Sequence, residues 1–343
     1  MSRILSETDI QRAKDLVANA GQIVITSHKS PDGDAVGSSL GLYHILSNLN
    51  KNVKVVLPDG APDFLSWMNG YENIILFDQA TELAKSTLES ADLVFVLDYN
   101  VFLRTGNDMM QEMQKLTCPI ILIDHHQQPG DFPVVTYSDT KACSTCEMVY
   151  RFADQCGWKT QIDLKAAECI YCGIMTDSGS FRFPSVSPDT HYIVAHLMEL
   201  GLDHANVHRQ VYDTNLLDRM RLTGYALSEK LESDEDGVWA IISLTKEELD
   251  RFRYRPGDTE GLVNQALSLK HVKVAAFLRE GNNEIKVSLR SKGNFDVNKY
   301  ARASWNGGGH MNAAGGATME TMEEALKRMR TELSAKHDEI LSA

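Results

Sequence analysis

Residues 123–130 read IDHHQQPG, an aspartate and two adjacent histidines standing where an apolar run ends. Carboxylate and imidazole are the groups that hold divalent cations and move protons near neutral pH. Neighbours on a strand point to opposite faces, so His125 and His126 cannot share one task. Three more segments carry the same chemistry. SHKSPDGDAVGSS offers His28, Asp32 and Asp34, FVLDYN offers Asp98, and GIMTDSGSF offers Asp177. Taken singly, an aspartate after a strand is ordinarily a turn former or helix cap, and a histidine an ordinary surface or core residue. Gathered together, these carboxylates and histidines would repel and desolvate one another unless cations filled the space between them. The mixed donor set suits Mn²⁺ or a similar divalent ion. Two such ions, about 3.5–4 Å apart and bridged by carboxylates, form a clamp for in-line displacement at phosphorus.

The elements that must position these groups alternate along the first half of the chain. IVITSH (23–28), NVKVVLP, NIILF (73–77), DLVFVLD (92–98) and PIILID (119–124) read as strands, with a helix over about 36–49. Continuous apolar runs suit a parallel sheet covered on both faces, and ligands bind beyond the carboxyl ends of such sheets. All four chemistry-bearing segments are expected at strand ends. The pattern is mostly helical from about 144 to 232, and the charged ESDEDG (232–237) marks the approach to a second domain. Strands return at VWAIISL (238–244), VKVAAFLRE (272–280) and EIKVSLRS (284–291), the last two joined by Gly281-Asn282-Asn283, a hairpin signal. One amphipathic helix is expected over about 319–341. The expected class is α/β. A mainly parallel sheet domain with helices on both faces spans 1–190, a helical linker 191–232, and a smaller α/β domain 233–343.

The 343 residues, 43% of them hydrophobic, suffice for two such domains. A net charge of −13 argues against binding long nucleic acid, which basic surfaces attract. It leaves room for a small phosphorylated substrate, because bound cations invert the local field. MSRILSETDI is polar, and no apolar run nears the roughly 18 residues of a membrane span. The expectation is a soluble, cytoplasmic protein with no membrane partner. Six cysteines include two CxxC pairs, Cys143/Cys146 and Cys169/Cys172. A four-cysteine zinc site is the sharper reading and small core residues the plainer one. The helical apolar setting of AAECIYCGIM favours the plainer, and disulfides are not expected.

In the second domain, NGGGHMNAAGG sets His310 behind Gly307, Gly308 and Gly309, in a segment where a ligand can approach the backbone closely. In SLRSK, Arg290 and Lys292 share a strand face, and arginine suits bidentate phosphate binding.

In order and spacing, the four segments resemble the motifs of the DHH phosphoesterase family, and GGGHMNAAGG (307–316) resembles the signature of its DHHA1 domain. The resemblance covers essentially the whole chain. Its length and layout look like the branch of bifunctional oligoribonucleases and pAp phosphatases. By this resemblance His28 and Asp32 serve one metal ion, Asp34 and His125 the other, Asp98 bridges both, and Asp177 contributes to the pair. His126 faces the substrate phosphate, and Asp124 holds an imidazole in its tautomer. Arg290 and His310 bind the nucleotide end distant from the metals, with Lys292 and Gly307 to Gly309 beside them. Arg104 is a phosphate-contact candidate, and Arg182 reads equally well as structural. Tyr99-Asn100 follow Asp98 where many relatives carry small hydroxyl residues, which would alter the pocket wall.

The implied cofactors are two divalent ions, Mn²⁺ favoured. The implied reaction is attack of hydroxide on phosphorus in short oligoribonucleotides or in 3′-phosphoadenosine 5′-phosphate (pAp). The nearest alternative is a phosphodiesterase for cyclic dinucleotides or linear pApA. A pyrophosphatase is disfavoured by the GGGH segment, and a long-strand exonuclease by the acidic charge. A non-catalytic nucleotide sensor is the distant reading, since all six ligand positions are filled. The implied partner is a short oligonucleotide or bisphosphate nucleotide, no long duplex, with a homodimer admitted.

Overall fold

The apolar runs of the first half do form parallel strands, β1 (Ile23–Thr26), β2 (Val53–Leu57), β3 (Ile75–Leu76), β4 (Leu93–Leu97) and β5 (Ile120–Asp124), joined by a sixth, β6 (Val135–Ser138), in the order β3-β2-β1-β4-β5-β6. This computed structural model describes residues 5–343; the first four residues of the polar N-terminal stretch lie outside the described residues. Every neighbouring pair in the sheet is parallel. The chain runs outward from β1 to β3 and returns to β4 on the other side of β1. The carboxyl ends of β1 and β4 therefore flank a topological switch point, where open α/β sheets bind ligands.

Alternate strand residues feed two cores. Ile23, Ile25, Phe95 and Ile123 pack with α1 (Glu7–Asn19), α2 (Gly33–Asn48), α5 (Thr145–Gln155) and α6 (Leu164–Asp177) on one face. Val24, Val94, Val96 and Leu122 pack with α3 (Thr81–Glu89) and α4 (Asn107–Met113) on the other. Burial on both faces is why these strands read as unbroken apolar runs. Two expectations shift. NIILF pairs only at Ile75–Leu76, because its first residue, Asn73, still belongs to a tight turn at Tyr71–Asn73. The short strand β6 carried no run long enough to announce itself. Helices α7 (Pro188–Glu199) and α8 (His204–Tyr212) complete this unit, which ends at Thr214.

Helices α2 and α6 touch backbone to backbone. A Cβ at Gly37 would lie 2.5 Å from the Cys169 carbonyl oxygen, and one at Gly173 would lie 2.1 Å from Cys146 Sγ and 2.8 Å from Asp34 Oδ1. Both CxxC pairs are buried around this contact. Burial pushes the Cys146 and Cys172 thiols up, and the charge of Asp34 adds to it. Gly173→Ala is expected to cost about 1–3 kcal/mol through overpacking. Urea melts of the two proteins measure it, and an unchanged midpoint would show that the helices can part without penalty.

The second unit, Asn215–Ala343, carries its own six-stranded sheet, ordered β11-β12-β10-β9-β8-β7. Its elements in chain order are α9 (Leu217–Glu229), β7 (Leu231–Ser233), β8 (Trp239–Leu244), α10 (Lys246–Arg251), α11 (Leu262–Leu267), β9 (Val274–Glu280), β10 (Ile285–Ser291), α12 (Val297–Ser304), β11 (Gly308–Gly309) and β12 (Ala313–Thr318). The β9–β10 hairpin forms at Gly281-Asn282-Asn283, with Ile285 opposite Glu280. The closing helix is not one but two, α13 (Met322–Ala335) and α14 (His337–Ser342), broken at Lys336. The break brings the Ala343 carbonyl to the Asn294 N–H at 2.9 Å, a long-range bond that periodicity does not encode. Among the described residues no helix is long and apolar enough to cross a membrane.

Candidate metal centre

Each strand that ends at the switch point delivers one part of the site. His28 lies two residues beyond β1, Asp98 directly follows β4, and Asp124 closes β5 with His125 and His126 behind it. Asp32 caps α2, its Oδ1 accepting the N–H groups of Asp34 and Ala35 at 3.0 and 3.1 Å. Asp177 is the exception to the expected strand ends: it closes helix α6, and the backbone contact of α6 with α2 carries it to the same place.

The two imidazoles are set in a definite tautomer. Nδ1 of His28 bonds the Lys29 carbonyl at 3.0 Å, and Nδ1 of His125 bonds the Ala142 carbonyl at 3.2 Å. A carbonyl only accepts, so Nδ1 carries the hydrogen and Nε2 is left as the donor atom. His28 Nε2 lies 3.2 Å from Asp98 Oδ2. His125 Nε2 faces three carboxylates, 3.4 Å from Asp98 Oδ1, 3.5 Å from Asp177 Oδ2 and 3.7 Å from Asp34 Oδ2. Ligand atoms of His28, Asp32 and Asp98 all lie within 4.8 Å of one another, as do those of Asp34, His125 and Asp177. Nitrogen donors turned onto clustered carboxylates are what a divalent cation needs and what bare protein tolerates poorly.

The electrostatics say the same. Burial pushes the Asp34 carboxyl well above its ordinary range, and the Asp98 and Asp177 charges add to it. Burial works against a charged His125, but the Asp98 hydrogen bond and the surrounding carboxylates override it and raise the imidazole well above its usual value. Asp98, despite burial, is held low by His125 and His28. A cation among these oxygens would relieve the strain.

His126 has a different setting. Its Nδ1 bonds Asp124 Oδ1 at 2.7 Å, and its backbone N–H donates to Asp124 Oδ2 at 3.1 Å. The two histidine rings stand 79° apart. Burial raises the Asp124 carboxyl to about 6. Burial, with the charge of Arg104, holds the His126 imidazole low. Arg104 sits on the turn Phe102–Thr105, which the Lys29 N–H fastens by donating to the Arg104 carbonyl at 2.8 Å.

Several supporting groups escaped the sequence reading. The start of α5 donates to Asp34 from the N–H groups of Thr145 and Cys146, at 2.6 and 2.8 Å, and the Thr145 hydroxyl donates to Asp98 at 2.9 Å. The available signal was Ser144-Thr145-Cys146-Glu147, a helix-start pattern whose unsatisfied N–H groups favour anions. Tyr99 is not a pocket wall: its φ +63° predecessor Asp98 turns the chain so that Tyr99 is buried in the core, its hydroxyl 2.7 Å from Thr26 Oγ1. Asn100 instead ties down the loop after His126, donating to the Gln127 carbonyl and accepting from the Gly130 N–H at 2.9 Å.

Arg182 stacks on Phe183, 5.3 Å from the ring centroid. In the second unit, Arg290 donates to its neighbour's carbonyl at Leu289 and Lys292 to that of Leu269, each at 3.0 Å. The glycine segment is a strand pair, not an open loop: Gly308 stands opposite Gly315 and Gly309 opposite Ala314. A Cβ at Gly307 would lie 1.8 Å from the Gly315 carbonyl oxygen, so glycine is required by packing. The N–H of Gly307 donates to Ala301 and that of Gly309 to Asn298 Oδ1, which leaves neither to cradle a phosphate. His310 lies at the turn, its N–H donating to the Ala313 carbonyl at 2.7 Å.

At its switch point the parallel α/β sheet gathers two imidazole–carboxylate sets that could each hold a divalent cation. Residues 22–174 match the DHH family, N-terminal domain, and residues 238–335 match the DHHA1 domain. Over 88% of its length the chain is 30% identical to the bifunctional oligoribonuclease and PAP phosphatase NrnA of Bacillus subtilis, covering 91% of that protein. It is 31% identical to the probable NrnA of Streptococcus mutans over 85% of its length and 88% of that protein. The crystal structure of an exopolyphosphatase-related protein from Bacteroides fragilis superposes with a TM-score of 0.93 at 41% identity, over 99% of both chains. The chain belongs to the DHH family of phosphoesterases, with a C-terminal DHHA1 domain.

Proposed function

We propose that this enzyme hydrolyses short oligoribonucleotides and pAp, using two divalent cations, with Mn²⁺ the favoured ion. One observation carries the reading: the two oxygens of Asp98 are divided, Oδ2 toward His28 and Oδ1 toward His125, so a single carboxylate serves both donor sets. His28, Asp32 and Asp98 would hold one ion, and Asp34, Asp98, His125 and Asp177 the other. Bound there, the ions supply Lewis acidity, activation of water near neutral pH and neutralisation of phosphate charge. The chain's own groups do the rest. Asp124 orients His126, which faces the charge growing on the phosphoryl oxygens, and the leaving oxygen takes its proton from His126 or from water. Arg104 adds positive charge beside His126. Arg290 and His310, with Lys292 and the Gly307 to Gly309 frame, hold the nucleotide portion of the substrate. The named activities of the Bacillus and Streptococcus relatives support the choice of substrates.

The test is a turnover panel on full-length protein stripped with chelator and titrated with Mn²⁺ or Mg²⁺. Turnover of pAp and of a two-nucleotide RNA is expected to vanish on stripping and return with Mn²⁺. Activity that survives stripping would overturn the metal assignment. Turnover of a cyclic dinucleotide alone would move the substrate assignment to that class.

A further inference from the structure

We propose that Arg302 is a further phosphate-binding residue, which takes the terminal phosphomonoester of a nucleotide at the glycine segment; this rests on the reading of the chain as a nucleotide phosphoesterase. Arg302 lies in the last turn of α12, beside β11. Asn298, one turn earlier, is 2% exposed, and its Oδ1 accepts from both the Gly309 N–H at 2.9 Å and Arg302 Nε at 3.2 Å. One buried amide thus fixes the guanidinium to the strand that carries Gly308. The guanidinium carbon lies 3.6 Å, and Nη2 3.5 Å, from the position a Cβ of Gly308 would take, so the group rests over a residue with no side chain.

The fork itself remains open. Arg302 is exposed, and among the described residues its Nη groups meet no carboxylate. Other arginines of this unit are neutralised: Arg328 by Glu320 and Arg330 by Glu232. An arginine held at Nε with no carboxylate on its Nη groups is organised in advance for a phosphate, which two parallel N–H···O bonds grip. Holding the side chain beforehand lowers the entropy lost on binding. The location agrees. Arg290 stands opposite Ala313, and Gly309 opposite the adjacent Ala314, so Arg290 and the Arg302 anchor flank β12.

A plainer role is available. A cation in the last turn of a helix interacts favourably with the helix dipole. That role needs a charge, not a guanidinium pinned at Nε by a buried asparagine, and lysine would fill it.

The experiment uses the full chain with Mn²⁺ and the variants Arg302→Gln and Arg302→Lys. Binding of AMP and of adenosine is measured by calorimetry, and kcat/KM is measured on pApA and on ApA. Arg302→Gln is expected to weaken AMP binding and lower kcat/KM for pApA on the order of 10- to 100-fold, the worth of a charged hydrogen-bonded pair. Adenosine and ApA should stay within about twofold. Arg302→Lys should recover little of the loss. Equal losses on phosphorylated and unphosphorylated ligands, or full recovery with lysine, would overturn the proposal. If wild type turned over neither dinucleotide, the oligoribonucleotide part of the proposed function would fail, while AMP against adenosine would still decide the role of Arg302.

Discussion

Replacing Asp98 by asparagine is expected to bring turnover below about a thousandth of wild type while the protein stays folded; the 10²–10³ typical of one lost electrostatic contact is a lower bound for a group serving both donor sets. Its Oδ2 faces His28 and its Oδ1 faces His125 and the Thr145 hydroxyl. Asparagine keeps an oxygen for Thr145 but removes the charge that attracts both cations. The choice of asparagine over alanine has a backbone reason. Asp98 has φ +63°, a left-handed conformation that aspartate and asparagine tolerate and that costs other residues roughly 1–2 kcal/mol. Asp98→Ala would therefore mix strain with ligand loss, whereas Asp98→Asn should melt close to wild type. Elemental analysis should find less bound metal. Near-normal rates for Asp98→Asn with Mn²⁺ present would sink the shared-ligand assignment.

The second large effect separates two neighbours. His125→Ala should lower bound metal, because its Nε2 faces all three of Asp34, Asp98 and Asp177. His126→Ala should keep its metal and lose roughly 10²–10⁴ in rate, the range of a lost acid–base or charge-stabilising group. The reason is orientation. His126 Nδ1 is committed to Asp124, so Asp124→Asn should reproduce part of the His126 loss in kcat, again with metal retained. Metal content and rates measured on the same samples give the answer. Equal metal loss in His125→Ala and His126→Ala would end the two-role interpretation.

Much of this site was legible before any fold was known. The strands β1, β4 and β5 announce themselves because burial on both faces demands unbroken apolar residues, and that demand is local. Their ends are local too, so His28, Asp98 and Asp124 through His126 could be placed at strand termini by inspection. The glycine segment was conspicuous for the same reason, although its meaning was not. Composition cannot distinguish glycines that free a loop from glycines that let two strands and the Trp305 carbonyl approach; a Cβ at Gly316 would lie 2.2 Å from that oxygen.

What the amino-acid order determined alone was therefore the set of donor types, the attachment of His28, Asp98 and Asp124 through His126 to strand ends, and the α/β class. The tertiary structure decided which of them meet. Asp34 receives its N–H donors from residues 111 and 112 positions away, and no periodicity carries information over that distance. Asp177 reaches the centre on a helix, because Gly37 and Gly173 let α2 and α6 close to contact that side chains would prevent. The left-handed turn at Asp98, which sends Tyr99 into the core and leaves the carboxylate between two histidines, is likewise set by its surroundings. Local sequence encodes which groups are available, and close packing between distant segments encodes where their atoms point.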